Sequence, residues 1–278
     1  MNRLQVYPLV KDVGYSPDQV ARTAQRIAYG VYRITHAGQQ VGEETWNLLA
    51  LVTGGFRITT EINLKWPLHN RQRAVLDVDD RWNVHGLWVQ LDIAGSRRKA
   101  AYIPNGNRIN IDITDLPVID DGQRDGKLHM GRHLSLSGAR PYRLGASPNM
   151  TTRENGARRQ LMFEPTTHVD FASAMFNYVV LKRLSLRPGT EASFSSVVVT
   201  LPSLEPLNIR QIYRYDADEL PDFDPTQAPL RRYTISEVGA PDLATTFWSD
   251  NHDVVHKQEL MLNGVLHGCE IINYRWLA

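Results

Sequence analysis

Alternation of apolar and polar residues is the dominant pattern in the first half of the chain. In the segment 57–66, apolar or β-branched side chains occupy every second position, and charged or polar side chains fill the others. A period of two is typical of a β-strand with one face toward the core and one toward solvent. Similar segments follow at 74–78, 87–93, 99–103 and 108–114. Glycine-containing turns separate these segments, so we predict an antiparallel meander.

The second half of the chain repeats this alternation. We predict strands at 194–200, 207–215, 231–238, 244–249, 254–262 and 266–276. The two halves also share a local pattern, which reads LDVDDRWNVHGLWVQLDIAG in the first and FWSDNHDVVHKQELMLNG in the second. Two meanders of similar design in one continuous sheet would produce this likeness, and so would ordinary hairpin sequence preferences. Both interpretations stay open.

Two segments have the period and the end signals of helices. The first covers about 16–28, where Ser16 is a suitable N-cap and Pro17 a suitable first helical residue. The second covers about 171–181, with Asp170 as its N-cap. The predicted fold class is therefore mainly β: a large curved antiparallel sheet, or half-barrel, wrapped around one or two short helices. We expect residues 1–278 to form a single domain.

Residues 117–156 lack any such periodicity. Their composition is rich in Gly, Pro, Asp, Arg and Ser. An irregular segment of that length is uncommon inside a compact domain and is typical of a functional loop. We therefore expect an irregular insertion here that acts as a lid over the sheet.

The overall composition narrows the functional classes. The chain of 278 residues has 31 basic and 30 acidic residues, so it lacks the positive charge of a dedicated nucleic-acid-binding protein. Its single cysteine, Cys269, excludes an intrachain disulfide and a zinc site of several thiolates. No stretch approaches the ~20 apolar residues that span a membrane, and the N-terminus shows no signal peptide. We therefore expect a cytoplasmic protein, or a periplasmic one if a signal peptide has been removed.

Candidate catalytic residues are few. The chain contains no nucleophile elbow, P-loop, dinucleotide fingerprint or zinc-protease motif, and we expect no cofactor. His129 and His133 have the spacing of helical metal ligands, but the glycine between them favours a loop, so we expect no metal site. His168 is a stronger candidate because it lies close to Asp170, and a nearby carboxylate can tune a histidine across neutral pH. A hydrogen-bonded structural histidine is the alternative interpretation.

Aromatic residues give the best indication of a ligand site. Six tryptophans and several tyrosines lie in or beside predicted strands. Trp88 and Trp248 fall on strand faces that the main core does not need, which indicates a second apolar surface. The candidate ligand-binding residues are Trp46, Trp88, Trp248, Tyr102, Tyr178 and Tyr213. Cross-strand aromatic pairing, worth roughly 0.2 to 1 kcal/mol per pair, is the alternative explanation.

Three segments resemble bacterial half-barrel proteins of the lipoprotein-carrier (LolA/LppX-like) type, including glycolipid-binding domains. They are the strand pair YGVYRITHAGQQVGEETWNL, the helix, turn and strand in DFASAMFNYVVLKRLSLRPGTEASFSSVVVT, and the hairpin TTFWSDNHDVVHKQELMLNG. The resemblance covers most of the chain. It implies a half-barrel that binds a lipid or another apolar ligand in the concave face of its sheet. Proteins of this group are usually exported, whereas the present sequence shows no export signal.

Three functional hypotheses stay open. The leading one is binding of an apolar or amphipathic small molecule in the concave face of the half-barrel. The second is a cofactor-independent enzyme, of the cyclase, isomerase or hydrolase type, in which His168 or a pocket tyrosine acts as acid or base. The third is a structural or subunit-interaction role, with the aromatic face buried against another chain. A homodimer also stays open.

Overall fold

Fifteen strands form one sheet in the part of the chain that the structure, a computed structural model, describes: residues 24–67, 69–116, 157–162, 167–220 and 228–277. The first eight strands are β1 (Ala24–His36), β2 (Gln39–Leu51), β3 (Phe56–Leu64), β4 (Asn70–Val78), β5 (Val84–Ile93), β6 (Ser96–Asn105), β7 (Arg108–Leu116) and β8 (Ala157–Met162). The elements that follow are β9 (His168–Asp170), α1 (Phe176–Arg183), β10 (Glu191–Val199), β11 (Pro206–Glu219), β12 (Leu230–Glu237), β13 (Ala240–Ser249), β14 (Val255–Leu262) and β15 (Val265–Trp276). The fold is mainly β, as the alternation predicted.

The two halves of the chain form two meanders that join in the middle of the sheet. β1 to β8 lie side by side in chain order, and so do β9 to β15. β1 pairs antiparallel with β15, for example at Tyr32 and Ile271, and this pairing makes the sheet continuous. β9 and β10 are parallel, while the other neighbouring strands are antiparallel. The outermost strands in this order are β8 and β9.

The sheet curls until its two outer regions meet. The turn after β10 lies against β6, where the Tyr102 hydroxyl donates a hydrogen bond to the Leu204 carbonyl oxygen at 2.5 Å. An ion pair between Arg159 of β8 and Glu205 continues this contact. Strand twist and these contacts together produce a strongly curved sheet with a closed inner side.

The helix α1 lies inside the curved sheet. Its residues from Phe176 to Leu181 are all buried, so the helix is covered on every side. The Asn177 amide donates to Gln258 Oε1 on β14 at 2.9 Å, and its carbonyl oxygen accepts from the Tyr213 hydroxyl on β11 at 2.9 Å. These bonds satisfy a polar side chain that would otherwise be costly to bury. The prediction of a curved sheet around a short helix is confirmed.

The predicted helix at 16–28 is wrong for its last residues, because β1 begins at Ala24; the preceding residues lie outside the described part of the chain. Apolar residues three positions apart, such as Ala24 and Ile27, fit the period of a helix. The pairing of β1 with β2 shifts register between Arg26 and Ala28, and such a bulge interrupts the alternation that would have indicated a strand.

The helix α1 begins later than predicted. Its N-cap is Met175, whereas Asp170 is the last residue of the three-residue strand β9. The residues between them form a turn in which the Ser173 amide donates to the Phe171 carbonyl oxygen. The strands β8 and β9 were not predicted, because β8 reads ARRQLM and does not alternate, and the three residues of β9 are too few to show a pattern.

Candidate functional site

A cleft of about 500 Å³ lies between the C-terminal end of α1 and the first half of β10. The helix ends at Arg183, and a turn follows in which the Thr190 amide donates to the Arg187 carbonyl oxygen at 3.0 Å. β10 starts directly after this turn and forms the opposite wall. The cleft is therefore a local consequence of the way in which the chain leaves the helix and enters the sheet.

The cleft combines an apolar wall with two guanidinium groups. Val180, Leu184 and Phe194 provide the apolar wall, and Arg183 and Arg210 provide the positive charge. Ligand sites often have this composition, in which a mainly apolar surface surrounds a few polar groups that orient the ligand. The lining is thus suited to a molecule with an apolar part and a charged part.

The two arginines of the cleft lie in different environments. Burial lowers the pKa of Arg183, while the charge of Asp79 raises it, and a guanidinium stays protonated in proteins. Arg210 is exposed and donates from Nε and Nη2 to Ser193 Oγ at 3.3 and 3.1 Å. The planar fork of a guanidinium matches a carboxylate or a phosphate group. The charged part of a ligand in this cleft is therefore expected to be an anion.

His168 lies behind the cleft, in β9. It is 1% exposed, and neither of its ring nitrogens has a hydrogen-bond partner. Its ring meets the Phe194 ring edge to face, with the centroids 6.4 Å apart. Burial, together with the positive charge of Arg183, lowers the pKa of His168 to about 3. The imidazole is therefore neutral at physiological pH, with one donor and one acceptor unused.

Asp170 follows two residues later, on the same face of β9 as His168. It is half-buried, and its carboxylate accepts hydrogen bonds from the Phe171 amide and the Gln211 side chain. Burial raises the pKa of Asp170 to about 7, because the hydrogen bonds offset only part of the cost of desolvation. His168 has no partner, so the two side chains are not bonded to each other. The predicted pair lies near the cleft without forming a dyad.

Four of the six aromatic residues predicted as ligand contacts lie in the core. Trp46, Tyr102, Tyr178 and Tyr213 are at most 2% exposed. The hydroxyls of Tyr102 and Tyr213 are occupied by hydrogen bonds within the protein. None of the four belongs to the described lining of the cleft, although the Tyr213 ring lies 5.1 Å from that of Phe194. The structure thus places these residues around the inner side of the sheet, with Tyr213 directly behind one wall of the cleft.

Trp88 and Trp248 lie on the outer face of the sheet. Their chain neighbours Leu87 and Phe247 are fully buried in the core, so the tryptophans point the other way. Lys257, the cross-strand partner of Trp248, holds its Nζ 5.4 Å from the centroid of the indole ring. The six predicted ligand contacts are therefore divided between the two faces of the sheet and do not converge on one site.

Glu44 is a buried carboxyl group that the sequence did not single out. It is 1% exposed, and it accepts from Ser173 Oγ at 2.5 Å and from the Ala174 amide at 3.4 Å. Burial raises the pKa of Glu44 to about 7 against the effect of these bonds. The hydroxyl of Tyr32, its cross-strand partner, and the indole N–H of Trp46 have no hydrogen-bond partner. Glu44 therefore ties the turn before α1 to a polar region inside the sheet.

The Asp250 carboxylate organises the turn between β13 and β14. It accepts from the amides of His252 and Val254, from His256 Nε2 at 3.1 Å and from the Tyr274 hydroxyl at 2.5 Å. Burial alone would raise the pKa of Asp250, but the hydrogen bonds from His256 and Tyr274 lower it. The turn accounts for the acidic residue at this position.

No three His, Cys, Asp or Glu side chains converge as a metal site among the residues that the structure describes. His129, His133 and the predicted lid at 117–156 lie outside those residues. Cys269 is a free cysteine, and burial raises the pKa of its thiol, which disfavours the reactive thiolate. Within the described ranges, no helix has the length and apolar character needed to cross a membrane.

The arginines of the cleft were missed in the sequence. Arg183 appears there as a basic residue at the end of a helix, which is common because it complements the helix dipole. Arg210 appears as a polar residue in an alternating strand. Only the antiparallel pairing of β10 with β11, which sets Ser195 opposite Arg210, brings the two into one cleft.

Comparison with known proteins does not assign the chain to a family. No protein-family model matches it, and no curated protein matches it significantly. A DUF1089 family protein from Pseudomonas aeruginosa is similar in structure, with a TM-score of 0.42 and 15% sequence identity over 72% of this chain and 81% of that protein. A beta-barrel-like protein of domain of unknown function DUF1849 from Brucella abortus has a TM-score of 0.49 and 7% identity over 92% of this chain and 100% of that protein. The resemblance to lipoprotein carriers stays a prediction.

Proposed function

We propose that this protein binds an amphipathic small molecule with an anionic head group in the cleft between α1 and β10. The observation that carries the proposal is the presence of two guanidinium groups and an apolar wall in one cleft of about 500 Å³. Ligand sites commonly have volumes of ~300 to 1,000 Å³. The proposal is a narrower form of the sequence hypothesis, which named an apolar or amphipathic ligand.

The head group and the apolar part of the ligand would contact different residues. A carboxylate or phosphate would accept hydrogen bonds from Arg183 and Arg210, and the apolar chain would pack on Val180, Leu184 and Phe194. Burial of the apolar chain supplies most of the affinity, at roughly 25 cal/mol per Å² of apolar surface. The charged bonds fix the orientation of the ligand and select against neutral molecules.

The curved sheet supports this proposal in a general way. Lipoprotein-carrier half-barrels hold apolar ligands against a curved sheet, and the present sheet also curves around a helix. In our proposal the inner-face aromatic residues act as a rigid support, since Tyr213 packs behind Phe194. The relation to those carriers is part of the proposal.

Calorimetric titration with decanoate and decanol tests the charge requirement. We expect decanoate to bind with a stoichiometry of one and decanol to bind more weakly, because decanol cannot pair with a guanidinium. The substitutions Arg183→Gln and Arg210→Gln are each expected to weaken decanoate binding roughly 10- to 100-fold, since a hydrogen bond to a charged group contributes about 1.5 to 3 kcal/mol.

Two further variants control the calorimetry. Arg187→Gln should bind decanoate like the wild type, because Arg187 is exposed in the turn outside the lining of the cleft. Phe194→Ala should weaken decanoate and decanol alike, because it removes apolar contact. Equal affinities for decanoate and decanol, or wild-type affinity in both arginine variants at the cleft, would show that the proposal is wrong.

A second candidate function, an acid–base enzyme acting on esters of the same ligand class, is favoured by Asp170 and His168. Asp170, whose pKa is about 7, is matched to proton transfer near neutral pH. His168, whose pKa is about 3, is a weak base at that pH, and its two unpartnered ring nitrogens suit it to hydrogen-bond a reacting group. We expect the protein to hydrolyse p-nitrophenyl decanoate to the proposed ligand decanoate, and Asp170→Asn to slow release of nitrophenolate by roughly 10²- to 10⁴-fold. Equal rates for the two proteins would exclude this hydrolase while leaving the binding proposal intact.

A further inference from the structure

Two histidines face each other across the neighbouring strands β1 and β15, at the point where β1 ends. His36 is the last residue of β1, and it pairs directly with His267 of β15. Their Nδ1 atoms are 3.5 Å apart, and the ring centroids are 4.7 Å apart. A separation of 3.5 Å is at the outer limit of a hydrogen bond. A bond between the two rings therefore contributes little to holding them in this arrangement.

The separation of the two nitrogens is close to that of two ligands on one metal ion. Zn–N bonds are ~2.0 to 2.1 Å long, so two imidazole nitrogens at a tetrahedral angle lie about 3.3 Å apart. Each Nδ1 atom offers a lone pair when the proton of the neutral ring is on Nε2. Both residues belong to paired strands, and rigid elements of this kind hold ligand atoms more accurately than loops do.

We propose that His36 and His267 form a two-histidine binding site for a divalent late transition metal ion, and that Zn²⁺ fits the spacing of the nitrogens. Imidazole is a preferred ligand of Zn²⁺, Cu²⁺ and Ni²⁺, whereas Mg²⁺ and Ca²⁺ prefer oxygen. No third His, Cys, Asp or Glu joins the pair in the described part of the chain, so water completes the coordination. Open coordination distinguishes such a site from a closed structural zinc site with four protein ligands.

Trp66 provides an internal reporter for this site. The centroid of its ring lies 4.7 Å from that of His36, and the residue is 50% exposed. The aromatic contact restricts the orientation of the His36 ring. A paramagnetic ion such as Ni²⁺ bound at His36 would quench the fluorescence of this tryptophan, which gives a readout separate from binding heat.

Calorimetric titration of the untagged protein with Zn²⁺ tests the proposal. We expect one Zn²⁺ per chain, and His36→Gln and His267→Gln are each expected to lower the affinity for Zn²⁺ at least about tenfold. Loss of a group that hydrogen-bonds to a metal ligand already lowers metal affinity by roughly 10- to 100-fold, and loss of the ligand itself should cost at least as much. His85→Gln is the matched control, because His85 is exposed and its neighbouring group is Asp79 at 3.9 Å. This control should bind Zn²⁺ like the wild type.

Ni²⁺ titration and NMR complete the test. Ni²⁺ should quench the fluorescence of the wild type, while Trp66→Phe should lose this quenching and keep its Zn²⁺ affinity. In the wild-type protein, Zn²⁺ should shift the imidazole signals of two of the nine histidines, a result that does not depend on the folding of any variant. Wild-type Zn²⁺ affinity in both histidine variants, or no shift of two imidazole signals, would overturn the proposal.

Discussion

Replacement of His168 with leucine is expected to make the protein markedly more resistant to acid. The unfolded chain takes up a proton at His168 below pH 6.5, whereas the fold holds the imidazole neutral down to about pH 3. Each pKa unit corresponds to 1.36 kcal/mol, so His168 lowers the free energy of unfolding of the wild type by roughly 4 to 5 kcal/mol as the pH falls from 6.5 to about 3. The stability that depends on a neutral imidazole at position 168 is fully present above pH 6.5 and is lost as the pH falls toward 3.

Urea denaturation at several pH values measures this effect. Leucine has a similar size and needs no hydrogen bond, so His168→Leu should be at least as stable as the wild type at pH 7. Below pH 6.5 the difference in unfolding free energy should grow by about 1.4 kcal/mol per pH unit. His85→Gln is the control, because it removes an imidazole from an exposed position of the same sheet.

The carboxyl groups of Glu44 and Asp170 act in the opposite direction. The pKa of Glu44 rises from 4.5 to about 7, and that of Asp170 rises from 3.8 to about 7, mainly through burial. An acid with a raised pKa contributes stability below its unfolded pKa, and this contribution is lost as the pH rises to 7. His168→Leu should therefore gain stability more steeply than the wild type as the pH falls from 7 to 5. Parallel pH profiles for the two proteins would contradict the assignment of a neutral buried imidazole.

Replacement of Trp46 with alanine is expected to destabilise the fold by about 3 to 5 kcal/mol. Trp46 is 1% exposed and stacks on Tyr32 with the ring centroids 6.2 Å apart. Its ring also covers Gly30, where an added Cβ would lie 2.7 Å from the indole. β1 and β2 each pair with a neighbour on both sides, so the backbone cannot close the cavity.

Trp88→Ala is the matched control for this substitution. Trp88 is half-buried on the outer face, where solvent fills the space that the ring leaves, so the loss of stability should be clearly smaller. Decanoate affinity per folded molecule should be unchanged in Trp46→Ala, because Trp46 does not line the cleft. A smaller loss of stability for Trp46→Ala than for Trp88→Ala would contradict the place of Trp46 in the core. Decanoate binding weakened as in Arg183→Gln would show that Trp46 contacts the ligand.

Alternation in the sequence located most strands because most have one core-facing side and one polar side. The predicted segment 108–114 lies within β7, and 231–238 overlaps β12 almost completely. The same reasoning fails where pairing adds a residue, as at the bulge in β1, since the extra residue changes the period. It also fails for β9, because three residues are too few to show a local pattern.

The candidate site was predictable only where its residues are neighbours in the chain. His168 and Asp170 were identified because they are two positions apart, although their place on β9 was not. Glu44 and Ser173, in contrast, are 129 positions apart and meet through the folding of α1 into the sheet. A period of two separates the two faces of a strand but does not show which face would contact a ligand. The predicted aromatic contacts therefore included Trp88, on the outer face, together with core residues.

The pairing of β1 with β15 governs the order in which the nascent chain completes its sheet. Arg33 of β1 and Glu270 of β15 form an ion pair at 3.3 Å although they are 237 positions apart. A ribosome adds roughly 5 to 20 residues per second, so one edge of β1 waits on the order of 10 to 50 s for its partner. An unpaired strand edge is a template for pairing with other chains. The middle of the finished sheet is thus the last part to be sealed and, during synthesis, the part most open to aggregation.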